Sequence, residues 1–349
     1  MKRRLVIAGV VLVALLTGGL VAAWLEVSSR LLAGVDRWAE ERRQEGWQVQ
    51  WSERERSGFP LAVTGLFREP HLEDPKGWRW EGEALAATIE LTDWNRVELE
   101  GFGLQRFFWP AMPAAKGPAE LQAAEKRAVL TYDERGRPAT LALRARDAEA
   151  AYDGRRVSAQ TLEADVTAPK DAARYDVPVD GQGRLRATGV TLPEGLDPLL
   201  GPTVTLLELA GVLTGQLPED GALDNAALRA WAESGGILDV DQLSLDWGPL
   251  TLRGDGSVTL DEQDRPLGAF SLRIKGLPET VERLARRGQI DSGVAFTVQA
   301  VALSIGKTDP SDGRREISLP LTLQDGWLSI GPPIGPMPLV RLDPVDLGR

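Results

Sequence analysis

The chain reads as mainly β with a few helices: an N-terminal transmembrane helix and stalk, then a large curved antiparallel β-sheet or sandwich. Three observations predict this. Leu5 to Leu25 is a run of 21 residues without a charge, preceded by Lys2, Arg3 and Arg4. Behind it, short stretches of alternating apolar and polar residues recur between turn signals, the period of half-buried strands. No regular strand–helix–strand alternation appears, which disfavours a doubly wound parallel sheet.

Residues 1–4 form a basic tip and 5–25 an anchor. At about 1.5 Å per residue the run spans roughly 30 Å, the hydrocarbon thickness of a bilayer. Basic residues before such a run stay cytoplasmic and send the following chain outward. A cleaved signal is the competing reading, with Val21 and Ala23 at −3 and −1 and cleavage before Trp24. The length of the run and the position of Trp24, where an indole suits the headgroup region, favour retention. Residues 26–46 form an amphipathic stalk helix. Val27, Leu31, Leu32, Val35, Trp38 and Ala39 recur at helical spacing, and the face they make is expected to pack on the following domain.

Residues 47–330 form a β-rich domain. Gly46 ends the stalk, Trp47, Val49 and Trp51 alternate with glutamines, and Ser57-Gly58-Phe59-Pro60 turns into Leu61 to Gly65. Strands follow at Glu83 to Leu91, Ala128 to Tyr132, Ala139 to Ala145, Ala148 to Tyr152, Val157 to Val166, Arg184 to Val190 and Thr203 to Thr214. Phe107 to Pro118 reads as a loop, and Gly117 to Arg127 fits a helix or the approach to a strand. Asp153-Gly154 is a two-residue hairpin signal. A helix fits Asn225 to Ser234 with Asp224 as N-cap. Leu243 to Trp247, Leu250 to Leu260 and Phe270 to Ile274 make an antiparallel meander. Pro278 opens a short helix closed by Gly288. Val294 to Ile305, Ile317 to Leu323 and Trp327 to Ile330 read as strands. Residues 331–349 are a Pro/Gly-rich C-terminal segment. Thr131 to Pro138 and Thr259 to Pro266 are identical at five of eight positions. Shared turn chemistry explains this most cheaply, and two similar halves meeting near 215–236 is the competing explanation.

Composition removes several functions. Beyond Glu26 the chain carries 37 basic and 50 acidic residues. That balance argues against nucleic acid and against broad docking on anionic lipid, both of which favour basic surfaces. The chain has no cysteine, so thiol nucleophiles, cysteine-ligated zinc and iron–sulfur clusters are out, and an exported domain must be stabilised by its core. Its 11 tryptophans are scattered, which suits packing better than one aromatic platform.

No catalytic constellation emerges. His71 is the one histidine and lies in a polar, proline-flanked stretch read as a solvated loop. A zinc site there would need three carboxylates, and a serine triad lacks its Gly-x-Ser-x-Gly elbow. Asp133, Glu134, Asp261, Glu262 and Asp264 cluster at turns, where they serve backbone geometry. Asp309 to Gly313 imitates a calcium loop with its glycine in the wrong place. Gly101-Phe102-Gly103 and Gly181-Gln182-Gly183 lack the third glycine of a phosphate loop. Arg286-Arg287 and Arg314-Arg315 are read as solvated pairs. Catalytic, cofactor and metal residues are therefore expected to be none, and the residues of any ligand site are left unassigned. The one-faced strands of Leu243 to Ile274 must cover their apolar side with another sheet, by curling, with helices or with lipid.

Several of these stretches resemble a known family. The anchor, Trp47, Ser57 to Leu61, Arg229 to Ala232, Leu245 to Leu250, Arg265-Pro266, Gly276 to Glu279, Leu319 to Thr322 and Asp325-Gly326 together resemble the domain-of-unknown-function family 2125 of alphaproteobacteria. The resemblance implies a single-pass bacterial inner-membrane protein, N-terminus cytoplasmic and main domain periplasmic, with no assigned activity. More remotely the pattern is similar to AsmA-like envelope proteins, which implies an extended curved sheet with an apolar groove for lipid. The expected function is a non-enzymatic one: binding or shielding an apolar ligand, lipid first, in envelope maintenance. An envelope scaffold that binds other membrane or periplasmic proteins is the alternative. Expected partners are the inner membrane through one helix, lipid and envelope proteins, with no cofactor.

Overall fold

The computed structural model describes residues 2–108, 119–152, 154–168, 179–193, 200–215, 225–310, 312–330 and 340–341. The side chains of 2–17, 23, 179–180, 225–227, 294, 330 and 340–341 lie outside the described set. Two compact units divide the chain, Met1–Gly154 and Arg155–Arg349. Residues 215–236, the place considered for a meeting of two halves, fall inside the second unit.

The first unit opens with α1 (Lys2–Gln44), one uninterrupted helix. Among the described residues no helix is long and apolar enough to cross a membrane. Most of the Leu5–Leu25 run, 5–17 and 23, has its side chains outside those residues. The second half of α1 docks on the unit's strands β1 (Gln48–Gln50), β2 (Glu53–Ser57) and β3 (Ala62–Arg68). Its buried positions, Trp24, Ser28 and Ala39, follow helical periodicity on one side. Trp24 is buried there, its Nε1 donating to Ala62 O at 2.6 Å and its ring edge-on to Phe59. That corrects the headgroup expectation for this indole, because an intramolecular acceptor and an aromatic partner occupy both its polar and apolar parts. Arg56 donates to Ser28 Oγ at 3.0 Å, Arg54 to Asp36 at 2.5 Å, and Arg43 Nη2 to Val49 O at 2.8 Å.

The remaining strands are β4 (His71–Glu73), β5 (Arg79–Glu90), β6 (Asp93–Phe108), β7 (Ala119–Gln122), β8 (Glu125–Tyr132) and β9 (Pro138–Tyr152). All pairings within the unit are antiparallel. β3 and β4 together line one side of β5, interrupted at Glu69 and Pro70, and β7 and β8 together line β6. Gly117 to Arg127 thus resolves, in its described part, as β7 and the start of β8 with a break at Ala123 and Ala124. The loop expected at 107–118 falls largely outside the described residues, as does Asp153.

The second unit is a longer meander. Its strands are β10 (Arg155–Thr167), β11 (Val179–Thr191), β12 (Thr203–Thr214), β13 (Ile237–Trp247), β14 (Leu250–Leu260), β15 (Pro266–Lys275), β16 (Lys307–Thr308), β17 (Arg315–Gln324), β18 (Trp327–Ile330) and β19 (Val340–Arg341). β10 through β15 pair in sequence order, β15 then pairs with β17, and β17 with β18, antiparallel throughout. Three helices interrupt it: α2 (Asn225–Glu233), α3 (Leu277–Arg286) and α4 (Ser292–Ile305). The proposed cap Asp224 lies outside the described residues.

α4 corrects the sequence reading of Val294 to Ile305 as a strand. The segment is apolar almost throughout, so periods of 2 and 3.6 fit it equally well. Asp291 decides: its side chain accepts from Gly293 N at 2.7 Å as an N-cap, and the alanines favour helix. Ala295 and Ala302, seven apart, are buried on the same side.

Candidate functional site

Strand register in the second unit builds an unbroken apolar surface. Leu162, Ala187, Leu207, Leu245, Leu252, Ile274 and Ile317 stand opposite one another across seven successive strands. The next row is Ala164, Leu185, Leu209, Leu243, Gly254, Leu272 and Leu319. Side chains alternate faces with period two, so one misplaced residue would turn a strand's apolar set to the other side. β13 carries such an extra residue, Asp241, where the register shifts. The bulge keeps Val240 and Leu243 on the same face although they are three apart.

The large side chains of the rows are buried at one end and exposed at the other, where only the small Ala187 is buried among the row residues. Leu272, Ile274 and Ile317 are buried, Ile317 to 2% exposure, beside α3 and α4. Gly254 permits this packing: a Cβ there would meet Leu272 Cδ2 at 2.6 Å, so the leucine lies across bare backbone. At the other end Leu185 is 43% exposed, Val166 51% and Leu207 37%. The helices are fixed at the margins of the sheet. Arg283 of α3 donates to Leu200 O at 2.7 Å, Trp247 Nε1 to Gly201 O at 2.8 Å, and buried Trp231 of α2 donates to Thr214 O at 2.6 Å.

The opposite face of the same strands is polar and charge-compensated. Glu163, Arg186, Glu208, Ser244 and Arg253 form one row. Glu208 and Ser244 are buried, and Arg184 Nε lies 3.8 Å from Glu208. Arg253 grips both oxygens of Asp246 at 2.7 and 2.8 Å, and that hydrogen bonding raises its pKa above the ordinary guanidinium value. A recess of about 500 Å³ opens on this side, bordered by Asp165, Thr167, Gln182, Arg184, Asp241 and Gln242. Ala210 and Val212 also line it, but its charged and amide side chains dominate, so it suits water and ions better than the apolar ligand expected from the sequence.

The residues considered for chemistry take structural positions. His71 is in the short strand β4, not a loop: Pro70 and Pro75 bracket a stretch that still pairs on both sides, His71 with Gln50 and with Glu81. Its ring nitrogens stand 3.6 Å from Glu73 and 3.6 Å from Glu81. Asp133 and Asp261 fold their turns identically. Asp133 accepts from the backbone of Arg135 and Arg137 and from Arg137 Nε, and Asp261 does so from Gln263 and Arg265. Those bonds, the backbone one from Arg137 foremost, lower the Asp133 pKa. The two echoing stretches thus share one turn geometry. Asp309 and Asp312 both accept from Lys275, at 2.5 and 2.9 Å, an ion-pair cluster where a calcium loop was weighed. The side-chain bond from Lys275 lowers the Asp312 pKa, and the bonds to Asp309 and Asp312 raise that of Lys275. Among the described residues no three His, Cys, Asp or Glu side chains converge to hold a metal ion.

The sequence reading named no ligand-site residues. The apolar alternation of β10 to β12 was visible, but its alignment into rows required the pairing.

No curated protein matches the chain. A family model covers residues 24–338, from the buried Trp24 to the proline-rich end. The chain belongs to DUF2125, a family described as uncharacterized protein conserved in bacteria.

Proposed function

We propose that this is a non-enzymatic, membrane-anchored envelope protein whose second unit binds or shields an apolar ligand, lipid first. The observation that supports it is the uncovered end of the apolar rows, where Val166, Leu185 and Leu207 stay exposed beside strands whose far ends are buried. Each methylene of an acyl chain laid there contributes about 0.8 kcal/mol of burial, so about ten would outweigh the few kcal/mol lost in ordering the chain. No headgroup contact is required, and the polar recess lies on the other face.

The anchor belongs to the same proposal. With Trp24 committed to the protein, residues 5–23 are left for lipid, about 28 Å of helix, still the thickness of a hydrocarbon core. The basic tip places the N-terminus in the cytoplasm and the domain in the periplasm. Native mass spectrometry of the chain released from membranes tests the ligand. A lipid adduct that disappears in Leu185→Glu and Leu207→Glu supports the reading. A folded chain that is empty at every preparation overturns it and returns weight to an envelope scaffold.

A further inference from the structure

The first unit gathers most of its exposed apolar side chains at one end. α1 runs antiparallel to β2, Ser28 meeting Arg56 and Asp36 meeting Arg54. The end of β2, the start of β3 and the β5–β6 hairpin therefore lie level with Trp24. Leu91 N donates to Leu61 O at 2.9 Å and joins the two turns. Trp94 is 79% exposed, Leu61 64%, and Phe59 is exposed beside them. On the helix at the same level Leu20, Val21 and Leu25 are exposed. Among the described large apolar side chains of this unit, only Trp38, Phe102 and Leu143 are exposed elsewhere. The turn at the opposite end of β5, Asp74 to Trp78, exposes Pro75, Lys76 and Gly77 instead.

Local geometry holds both tips in place. Gly58 turns at φ +97°, where a Cβ would meet Ala62 O at 2.7 Å, and Ala62 N closes the turn on Gly58 O at 2.9 Å. In β6 the register jumps from Glu90 opposite Asp93 to Ile89 opposite Val97. Trp94, Asn95 and Arg96 therefore have no partner on β5, and this bulge carries the indole outward. Three large apolar side chains on two adjoining turns form a patch, unlike single exposed ones. The charges around it are nearly balanced. Arg30 pairs with Glu26 at 2.7 Å, Arg96 lies 3.6 Å from Glu98, and Arg56 sits 5.1 Å over the Trp24 ring, while Glu90 and Asp93 flank the hairpin turn.

We propose that this end of the first unit rests on the bilayer surface, with Phe59, Leu61 and Trp94 among zwitterionic headgroups. The inference rests on the anchor reading of residues 5–23. The helix itself fixes the occupant. α1 continues through Trp24 without a break, so once 5–23 fill the hydrocarbon, Trp24 stands at its boundary. The headgroup layer beyond that boundary is about 5–7 Å thick, and the Phe59 ring lies 5.7 Å from the Trp24 ring. Trp24 spends its N–H on Ala62 O, so aromatics from the turns supply the interfacial belt that the helix lacks. Balanced charges give anionic lipid no cation excess to attract, and Glu90 and Asp93 hold the hairpin at headgroup depth. A second copy of the chain would have to displace a surface that the tether already holds close.

The chain has no cysteine, so Ser57→Cys, Thr92→Cys, Leu20→Cys and Lys76→Cys each give a single site for a nitroxide spin label. The first two report on the turns without removing an apolar side chain. The full chain is reconstituted in phosphatidylcholine nanodiscs, and collisions with lipid-soluble oxygen are compared with those of a water-soluble nickel chelate. The labels at 57 and 92 are expected to lose nickel access while the one at 76 keeps it. Adding Leu61→Ser and Trp94→Ser, both at exposed positions, should return that access. Labels at 57 and 92 that stay open to nickel while the one at 20 is open only to oxygen overturn the docking and leave the anchor standing. A label at 20 that stays open to nickel overturns anchor and docking together. Protection that survives the two serines overturns the role of the patch, because the tether alone would then explain it. Protection that appears only when phosphatidylglycerol is added overturns the zwitterionic assignment. Protection at 57 and 92 without oxygen access points to a protein contact and overturns the proposal as well.

Discussion

Leu185 and Leu272 stand on the same apolar row, four strands apart, and live in opposite environments. Leu272 is 5% exposed beneath the α3–α4 end, and Leu185 is 43% exposed at the β11 end. Residue type and face are the same, so the difference lies in what the chain places above each. After β15 the chain leaves the sheet for two helices before returning as the short β16 and then β17. Between β10 and β12 the connections run through residues outside the described set. A sheet face can thus be core at one end and surface at the other without any change in its sequence pattern.

The largest test of that contrast is a charge at the closed end. Ile317→Asp buries a carboxylate without a partner and is expected to cost about 4 kcal/mol or more, read as loss of the cooperative denaturant transition. Leu272→Ala should cost about 2–4 kcal/mol through the cavity it leaves, whereas Leu185→Ala should stay within about 0.5 kcal/mol. Equal costs at the two positions would mean that the open end is covered in solution. Trp231→Phe keeps the packing of α2 but strands the Thr214 carbonyl. A loss of about 1–2 kcal/mol is expected in the midpoint of denaturant unfolding.

The smallest effect is a pH dependence at the closed end. Asp312 has a lowered folded pKa, so its contribution is present above the unfolded carboxylate value and is lost as pH falls through the folded one. Lys275 has a raised pKa, so its contribution is present below the unfolded lysine value and is lost as pH rises through the folded one. Lys275→Met should therefore lower Tm most near neutrality. The gap to the unaltered chain should close below about pH 3, and a gap constant with pH would sink this account.

Much of the fold was legible because its signals are local. Alternation marked β12 at the observed bounds, Thr203 to Thr214, and Pro278 marked the start of α3. The stalk's apolar side packed in part: Ala39 is buried and Val27, Leu31, Leu32 and Val35 are half-buried, but Trp38 stays exposed. Two failures share a cause. α4 is apolar on nearly every side, so no period stands out, and only the cap at Asp291 distinguishes helix from strand. Trp24 reads as an interfacial residue because a tryptophan beside an apolar run has that meaning by default. Its actual acceptor, Ala62 O, lies 38 residues away. The candidate site was half legible. Which residues are apolar is local, but which stand in one row depends on pairing across seven strands and on register shifts such as the bulge at Asp241.

α1 also has a mechanical consequence. As one unbroken helix of 43 residues, it is a beam about 65 Å long. Half of it is clamped to the first sheet at Trp24, Ser28, Asp36 and Arg43. Tilting the part before Trp24 would load that clamp as a lever loads its fulcrum. Gly18 and Gly19 stand just before the first fixed point, with nothing beyond the helix's own backbone within 4 Å of where their side chains would be. A glycine pair is where a helix yields first, so the joint would bend before the clamp opens. Stiffening it with Gly18→Ala and Gly19→Ala would pass the full torque into β3.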